Sequence, residues 1–153
     1  MKLQRSPRQS HVTLILGAGL IAASSAIAAT NASLPPEHSA GNITYLSGGI
    51  GQDEADAMKQ AATRYPLELM FVAKEKDGHD AYEAGDKVMI RDHTGKVVLD
   101  TQSEGPFLLA KLPPGKYTVD AIDNGKTRER SVMLKPDQHA QLTFEWLRAY
   151  RET

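Results

Sequence analysis

From Pro66 to the end of the chain, apolar residues recur at every second position, and that period limits the fold more than any other feature. Leu67, Leu69 and Phe71 alternate with Glu68, Met70 and Val72, and Val88 and Ile90 alternate with Lys87, Met89 and Arg91. Val97 and Leu99 follow, then Phe107 and Leu109. Tyr117, Val119 and Ala121 alternate with Thr118, Asp120 and Ile122, and Val132 and Leu134 come next. The last run is the clearest, with Ala140, Leu142, Phe144 and Trp146 set against Gln141, Thr143 and Glu145. Successive side chains of a strand point to opposite faces, so each run predicts a strand with one face in a core and one in water. No long helical pattern separates the runs, which argues against a parallel sheet built from βαβ units.

Turn residues fall between the runs. Asp92-His93-Thr94-Gly95 suits a tight hairpin, and Asn124-Gly125 is a strong two-residue hairpin signal. Pro113-Pro114-Gly115 and Pro136-Asp137 break the chain between other runs. Short strands punctuated at this spacing predict a mainly β fold, an antiparallel sandwich of about seven strands. Upstream, Asn42 to Leu46 forms a short alternating strand candidate, and Gly48-Gly49-Ile50-Gly51 makes a loop. The one good helix runs from Asp53 to Arg64. Asp53, Glu54 and Asp56 lie at its start, where carboxylates suit the positive end of the helix dipole. Ala55, Met58 and Ala62 share a face, and Pro66 forces Tyr65 out of helical geometry. So thin an apolar stripe predicts a helix lying against something larger.

The first 28 residues have a different character. Lys2, Arg5 and Arg8 precede an apolar run from Val12 to Ala23, and Ala26-Ile27-Ala28 fits the small-x-small pattern of signal-peptide cleavage. That run has 12 residues, whereas a membrane-spanning helix needs about 20. Residues 1–28 are therefore expected to be a cleavable signal peptide, with cleavage at Ala28 or Ala29 and no stable membrane insertion afterwards. An uncleaved anchor continuing through Ser24 and Ser25 is the alternative. Residues 29–42, polar and carrying Pro35-Pro36, predict a flexible lead-in, which leaves 43–153 for one β-sandwich domain. Its expected location is the periplasm or the medium. Taking the three signal-peptide bases from the 18 in the chain leaves 15 against 19 acidic residues, a net of −4. Nucleic-acid binding needs a basic face that releases phosphate counterions, so that class is set aside. The chain has no cysteine, hence no disulfide and no lipoprotein attachment site, and its core must hold the fold unaided.

The stretch from Lys87 to Leu134 resembles the carboxypeptidase regulatory-like group of transthyretin-like sandwich domains. Ile90, Asp92 and Gly95 fit that group's first hairpin, and Gly105 and Phe107 fit its next strand entry. Leu112, Pro114, Gly115, Tyr117 and Val119 fit its Pro-Gly-x-Tyr corner, and Gly125 fits the short hairpin that follows. The upstream YLSGGIGQDEADAMK is similar to a set of small exported bacterial proteins. The first resemblance implies a transthyretin-like sandwich, which in metallocarboxypeptidases is an appended, non-catalytic module. Physics alone gives the corner a structural role: Tyr117 buries its ring and sends its hydroxyl to a nearby backbone group.

Catalytic constellations fare poorly. The wider transthyretin fold includes hydroxyisourate hydrolases, marked by a C-terminal Tyr-Arg-Gly-Ser. Here the chain ends Tyr150-Arg151-Glu152-Thr153, and the family's early Leu-Asp-x-x-x-Gly-x-Pro element is missing. No His-x-x-Glu metal pair occurs, and His38, His79, His93 and His139 sit in separate polar segments. His79-Asp80 and Asp92-His93 would have to converge to form a metal site, and solvated loop histidines are the ordinary outcome. The glycine loop before the helix is no phosphate cradle, because Asp53, Glu54 and Asp56 would repel the anion.

What remains is a non-catalytic exported module with no cofactor, binding a protein, peptide or glycan of the cell envelope or assisting an envelope assembly. The alternative is a small envelope hydrolase or metal-dependent enzyme on the same fold. The expected contact surface is Tyr45, Leu46, Ile50, Glu54 and Met58, since the glycine loop costs backbone entropy and leads from apolar residues into an acidic helix start. The competing expectation is that this segment merely caps an open end of the sandwich.

Overall fold

The computed structural model describes residues 33–148. The signal-peptide and cleavage expectation for residues 1–28 and the chain end at Tyr150 to Thr153 lie outside the described residues. Ten strands and one helix follow in the order β1 (His38–Ala40), β2 (Ile43–Gly48), α1 (Gln52–Ala62), β3 (Leu67–Lys74), β4 (Asp80–Tyr82) and β5 (Lys87–Asp92). Then come β6 (Val97–Gln102), β7 (Phe107–Lys111), β8 (Gly115–Asp123), β9 (Lys126–Leu134) and β10 (Ala140–Leu147). The fold is mainly β. One sheet has the order β1-β2-β7-β3-β10, with β4 continuing alongside β3, and the second has the order β6-β5-β8-β9.

Both sheets contribute to one core. Leu67, Leu69 and Phe71 of β3, Leu108 and Ala110 of β7, and Phe144 and Trp146 of β10 meet Val88, Ile90, Leu99, Tyr117, Val119 and Ala121 of the second sheet. Phe71 and Phe144 stack with centroids 5.9 Å apart. Each such side chain contributes about 1.5–3 kcal/mol through burial, which is how a chain without disulfides holds together. Tyr117 behaves as its corner requires: it is buried, and its hydroxyl donates to the Pro113 carbonyl at 2.9 Å.

Three expectations need correction. The sheets are not purely antiparallel, because β10 pairs with β3 in parallel, Ala140 opposite Leu67 and Phe144 opposite Phe71. Alternation says which face a residue takes and nothing about strand direction. Direction is set at the start of β10, where Ala140 N–H donates to Pro66 O at 2.8 Å and His139 Nδ1 bonds Tyr65 O at 2.8 Å. The strand count exceeds seven partly because β1 and β4 have three residues each, too few to show a period, and β1 falls within the expected lead-in 29–42. Finally, β3 and β7 have no water-facing side. α1 covers the outer face of the first sheet, and Ala55, Met58, Ala61 and Ala62 form a second core with Leu46, Tyr65, Phe107 and Leu109. Phe107 and Leu109 thus face the helix, while Leu108 and Ala110 face the other sheet.

α1 ends at Ala62, two residues before its expected end. Arg64 and Tyr65 N–H donate to the carbonyls of Ala61 and Ala62, a tightened turn that leads into Pro66. At the Asn124-Gly125 hairpin both residues take positive φ, 47° and 76°, with Asp123 paired to Lys126. Positive φ at both central positions is the signature of a two-residue type I′ turn, which these residue types tolerate best. In the β5–β6 hairpin the Asp92 carboxylate accepts from Thr94 N–H, Thr94 Oγ1 and Lys96 N–H.

Candidate functional site

The five residues expected to form a contact surface do not lie on one surface. Leu46 and Met58 are buried between α1 and the sheet, so neither presents area to a partner. Tyr45, the neighbour of Leu46 on a strand, points the opposite way: it packs against the inter-sheet core and bonds Thr101 Oγ1 at 3.0 Å. Glu54 turns back on the loop, its Oε1 accepting the Gly49 N–H at 2.6 Å. Ile50 alone of the five is exposed, at 66%.

The glycine loop is tightly built. Gly49 has φ +100°, and a side chain there would collide with the Phe107 ring. Gly105 lies against the Gly48 backbone with no room for a Cβ. The loop therefore packs on the start of β7, and close approach accounts for its glycines. Tyr82 and Lys59 lie over Phe107, and the exposed Ile50 follows Gly49, which abuts the same ring. Tyr82 is 54% exposed with its ring 5.5 Å from that of Phe107, and Lys59 Nζ sits 5.6 Å and 5.9 Å from the two centroids. Tyr82, which completes this patch, lay in a segment too short and too polar to stand out in the sequence.

The histidines stay apart. His79 is in the β3–β4 turn beside Asp77, and His93 is in the β5–β6 hairpin beside a shallow recess lined by Arg91, Lys116 and Thr118. His38 stacks on Tyr45, and His139 bridges Tyr65 O and the buried Glu68 carboxylate, its Nε2 2.9 Å from Glu68 Oε2. His79-Asp80 and Asp92-His93 do not converge.

A different cluster forms where β4 leads into β5, β8 ends and β10 ends. One carboxylate oxygen from each of Glu83, Asp86 and Asp123 lies within 4.8 Å of the others. The β4–β5 connection is pinned by Ser103: Gly85 N–H donates to Ser103 O at 2.9 Å and to its Oγ at 3.1 Å, and Ser103 N–H donates to Asp86 O at 2.8 Å. That pinning directs the Asp86 side chain inward. Asp86 is 2% exposed, and neither carboxylate oxygen has a hydrogen-bond partner. Burial pushes its pKa up from 3.8 to about 6, and the charge of Asp123 adds to the rise. The indole N–H of Trp146 favours the charged form, though it makes no well-formed bond. Arg148 pairs with Glu83 and lies 3.6 Å from Asp123, and Arg128 stacks 5.4 Å over the Trp146 ring. Sequence reasoning missed this cluster because its acids come from distant turns and carry no recognisable spacing.

No protein-family model and no curated protein matches the chain. A solved structure described as the Bacillus anthracis TIE protein is similar over 53% of this chain and 16% of its own, at 15% identity and a TM-score of 0.38. At that score and identity nothing about activity carries across. No helix among the described residues is long and apolar enough to cross a membrane.

Proposed function

We propose that the chain is an exported, non-catalytic β-sandwich module of the transthyretin-like, carboxypeptidase regulatory-like kind. It recognises a protein, peptide or glycan of the cell envelope, or assists an envelope assembly. The observation that supports this reading best is the exposed Tyr82 ring and the Lys59 cation over Phe107, with the exposed Ile50 in the glycine loop that packs on the same ring. Aromatic and aliphatic anchors beside a charge are what recognition surfaces use, and here the tightly packed glycine loop and α1 hold them in place. This surface keeps Ile50 from the segment first expected to bind and replaces its buried members with Tyr82 and Lys59.

Site-specific photo-cross-linking in producing cells tests it. A photoreactive residue at Ile50 or Tyr82 is expected to yield one discrete adduct, identified by mass spectrometry. The same residue at Val97 or Met133, exposed on the other sheet, is expected to yield none of it. The reading fails if positions 50 and 82 give no adduct, or if positions 97 and 133 give the same one.

A further inference from the structure

We propose that Glu83, Asp86 and Asp123 form a binding site for a hard divalent cation, Ca²⁺ in preference to a transition metal, with Arg148 as the internal cation that occupies the site's rim in its absence. Geometry carries the first part. Two oxygens on opposite sides of a Ca²⁺ ion bound at about 2.4 Å are about 4.8 Å apart, and the three carboxylates already lie within that distance of one another. One ion can therefore touch all three with shifts of a few tenths of an ångström.

The buried member of the cluster carries the second part. Most clusters of acids are solvated and mean nothing, but Asp86 is shut away from water with both oxygens unpartnered, and one of them lies within 4.8 Å of a carboxylate oxygen of Glu83 and of Asp123. A buried carboxylate left without donors costs several kcal/mol unless something compensates its charge. The neighbouring guanidinium does so incompletely. Arg148 pairs with Glu83 and approaches Asp123, yet Asp86 takes no bond from it. With all three acids ionised, three negative charges face one positive charge, which leaves room for a second cation or for an exchange of cations.

The donor set selects the metal. Every ligand is a carboxylate oxygen, with no imidazole among the three and no cysteine in the chain, so hard cations are favoured over zinc or copper. The ligands come from the single β4–β5 connection and the end of β8, a set that adapts to Ca²⁺ more readily than to the strict octahedron of Mg²⁺. Arg148 is 40% exposed and follows the end of β10, so it can swing to water when the ion enters.

Trp146, the only tryptophan, supplies the probe, since its indole N–H faces Asp86. Terbium, an oxygen-seeking stand-in for Ca²⁺, is titrated into the purified, chelator-treated protein while Trp146 is excited. Sensitised terbium emission is expected, and Ca²⁺ should displace it with a midpoint on the order of 10⁻⁴–10⁻³ M, the range of modest extracellular sites. Asp86→Asn should reduce the emission at least tenfold at the same terbium concentration. Arg148→Gln, which removes the competing cation, should tighten binding several-fold, a gain that loss of folding cannot mimic. Asp123→Asn offers a second loss variant, with circular dichroism confirming that each protein is folded. Absence of sensitised emission from the wild-type protein overturns the proposal. So does emission that Asp86→Asn leaves unchanged, or weaker binding by a folded Arg148→Gln variant. The experiment uses purified protein, so its outcome is independent of where the chain resides and of the partner surface proposed above.

Discussion

Replacing Asp86 with asparagine should move the stability of the metal-free protein in the variant's favour as pH rises from acid to neutral. The native carboxyl has its pKa raised from 3.8 to about 6, because burial and the charge of Asp123 disfavour the ionised form. A raised native pKa means that the folded state binds the proton more tightly than the unfolded chain. Its contribution to stability is therefore fully present below about pH 4 and is lost as pH rises through about 6. A rise of about two units at 1.36 kcal/mol each gives a loss of about 3 kcal/mol across that window. The amide introduced by Asp86→Asn does not titrate, so the stability of the variant minus that of the wild type should grow by about 3 kcal/mol between about pH 4 and pH 7.5. Burying the amide imposes a cost of about 1–2 kcal/mol that is nearly independent of pH, so it shifts the difference curve without changing its slope. Glu37 and Asp92, whose pKa values are lowered by hydrogen bonds from Lys111 and Thr94, act in the opposite direction and cancel in the difference. Urea unfolding followed by Trp146 fluorescence, with a chelator present, reads the effect. A difference that is flat with pH, or one that favours the wild type as pH rises, would refute the placement of Asp86.

Two further substitutions probe the packing. Trp146 is 3% exposed on the inter-sheet face, so native emission should be blue-shifted, and Trp146→Ala should cost about 3–5 kcal/mol by urea unfolding. Emission typical of a wet indole in the folded protein would contradict the register of β10. Gly105→Ala would drive its Cβ into the Gly48 backbone and should cost about 1–3 kcal/mol, while Gly125→Ala, with open space around it, strains only the turn. Equal melting temperatures for wild type and Gly105→Ala would show that the glycine loop does not pack on the start of β7.

The period of two was enough to place most strands and to bury Trp146 and Tyr117, because a pleated strand sorts side chains by parity. Parity is blind to direction, so the parallel entry of β10 beside β3 could not be read from Ala140, Leu142, Phe144 and Trp146. It is also blind to a third layer. Met58 and Ala62 announced a helix seeking cover, but nothing in Phe107 or Leu109 said that their side of the sheet would supply it. A related reason hid the burial of Leu46 and Met58: they looked like surface groups beside a loop, and the packing of α1 on the sheet seals them inside. Glu83, Asp86 and Asp123 were invisible for lack of any sequence spacing. They meet only because the hairpin at Asn124-Gly125 and the Ser103 anchor bring two turns to the same end of the fold.

Recognition in the envelope depends first on export. The full chain is expressed in a bacterial host, the periplasm, medium and cytoplasm are separated, and the intact mass of the protein in each fraction is measured. The expected result is a species in periplasm or medium that lacks residues 1–28 or 1–29, as the small-x-small pattern at Ala26-Ile27-Ala28 predicts. A species that retains Met1 to Ala28, or one confined to the cytoplasm, would contradict export and with it the proposed work of this module.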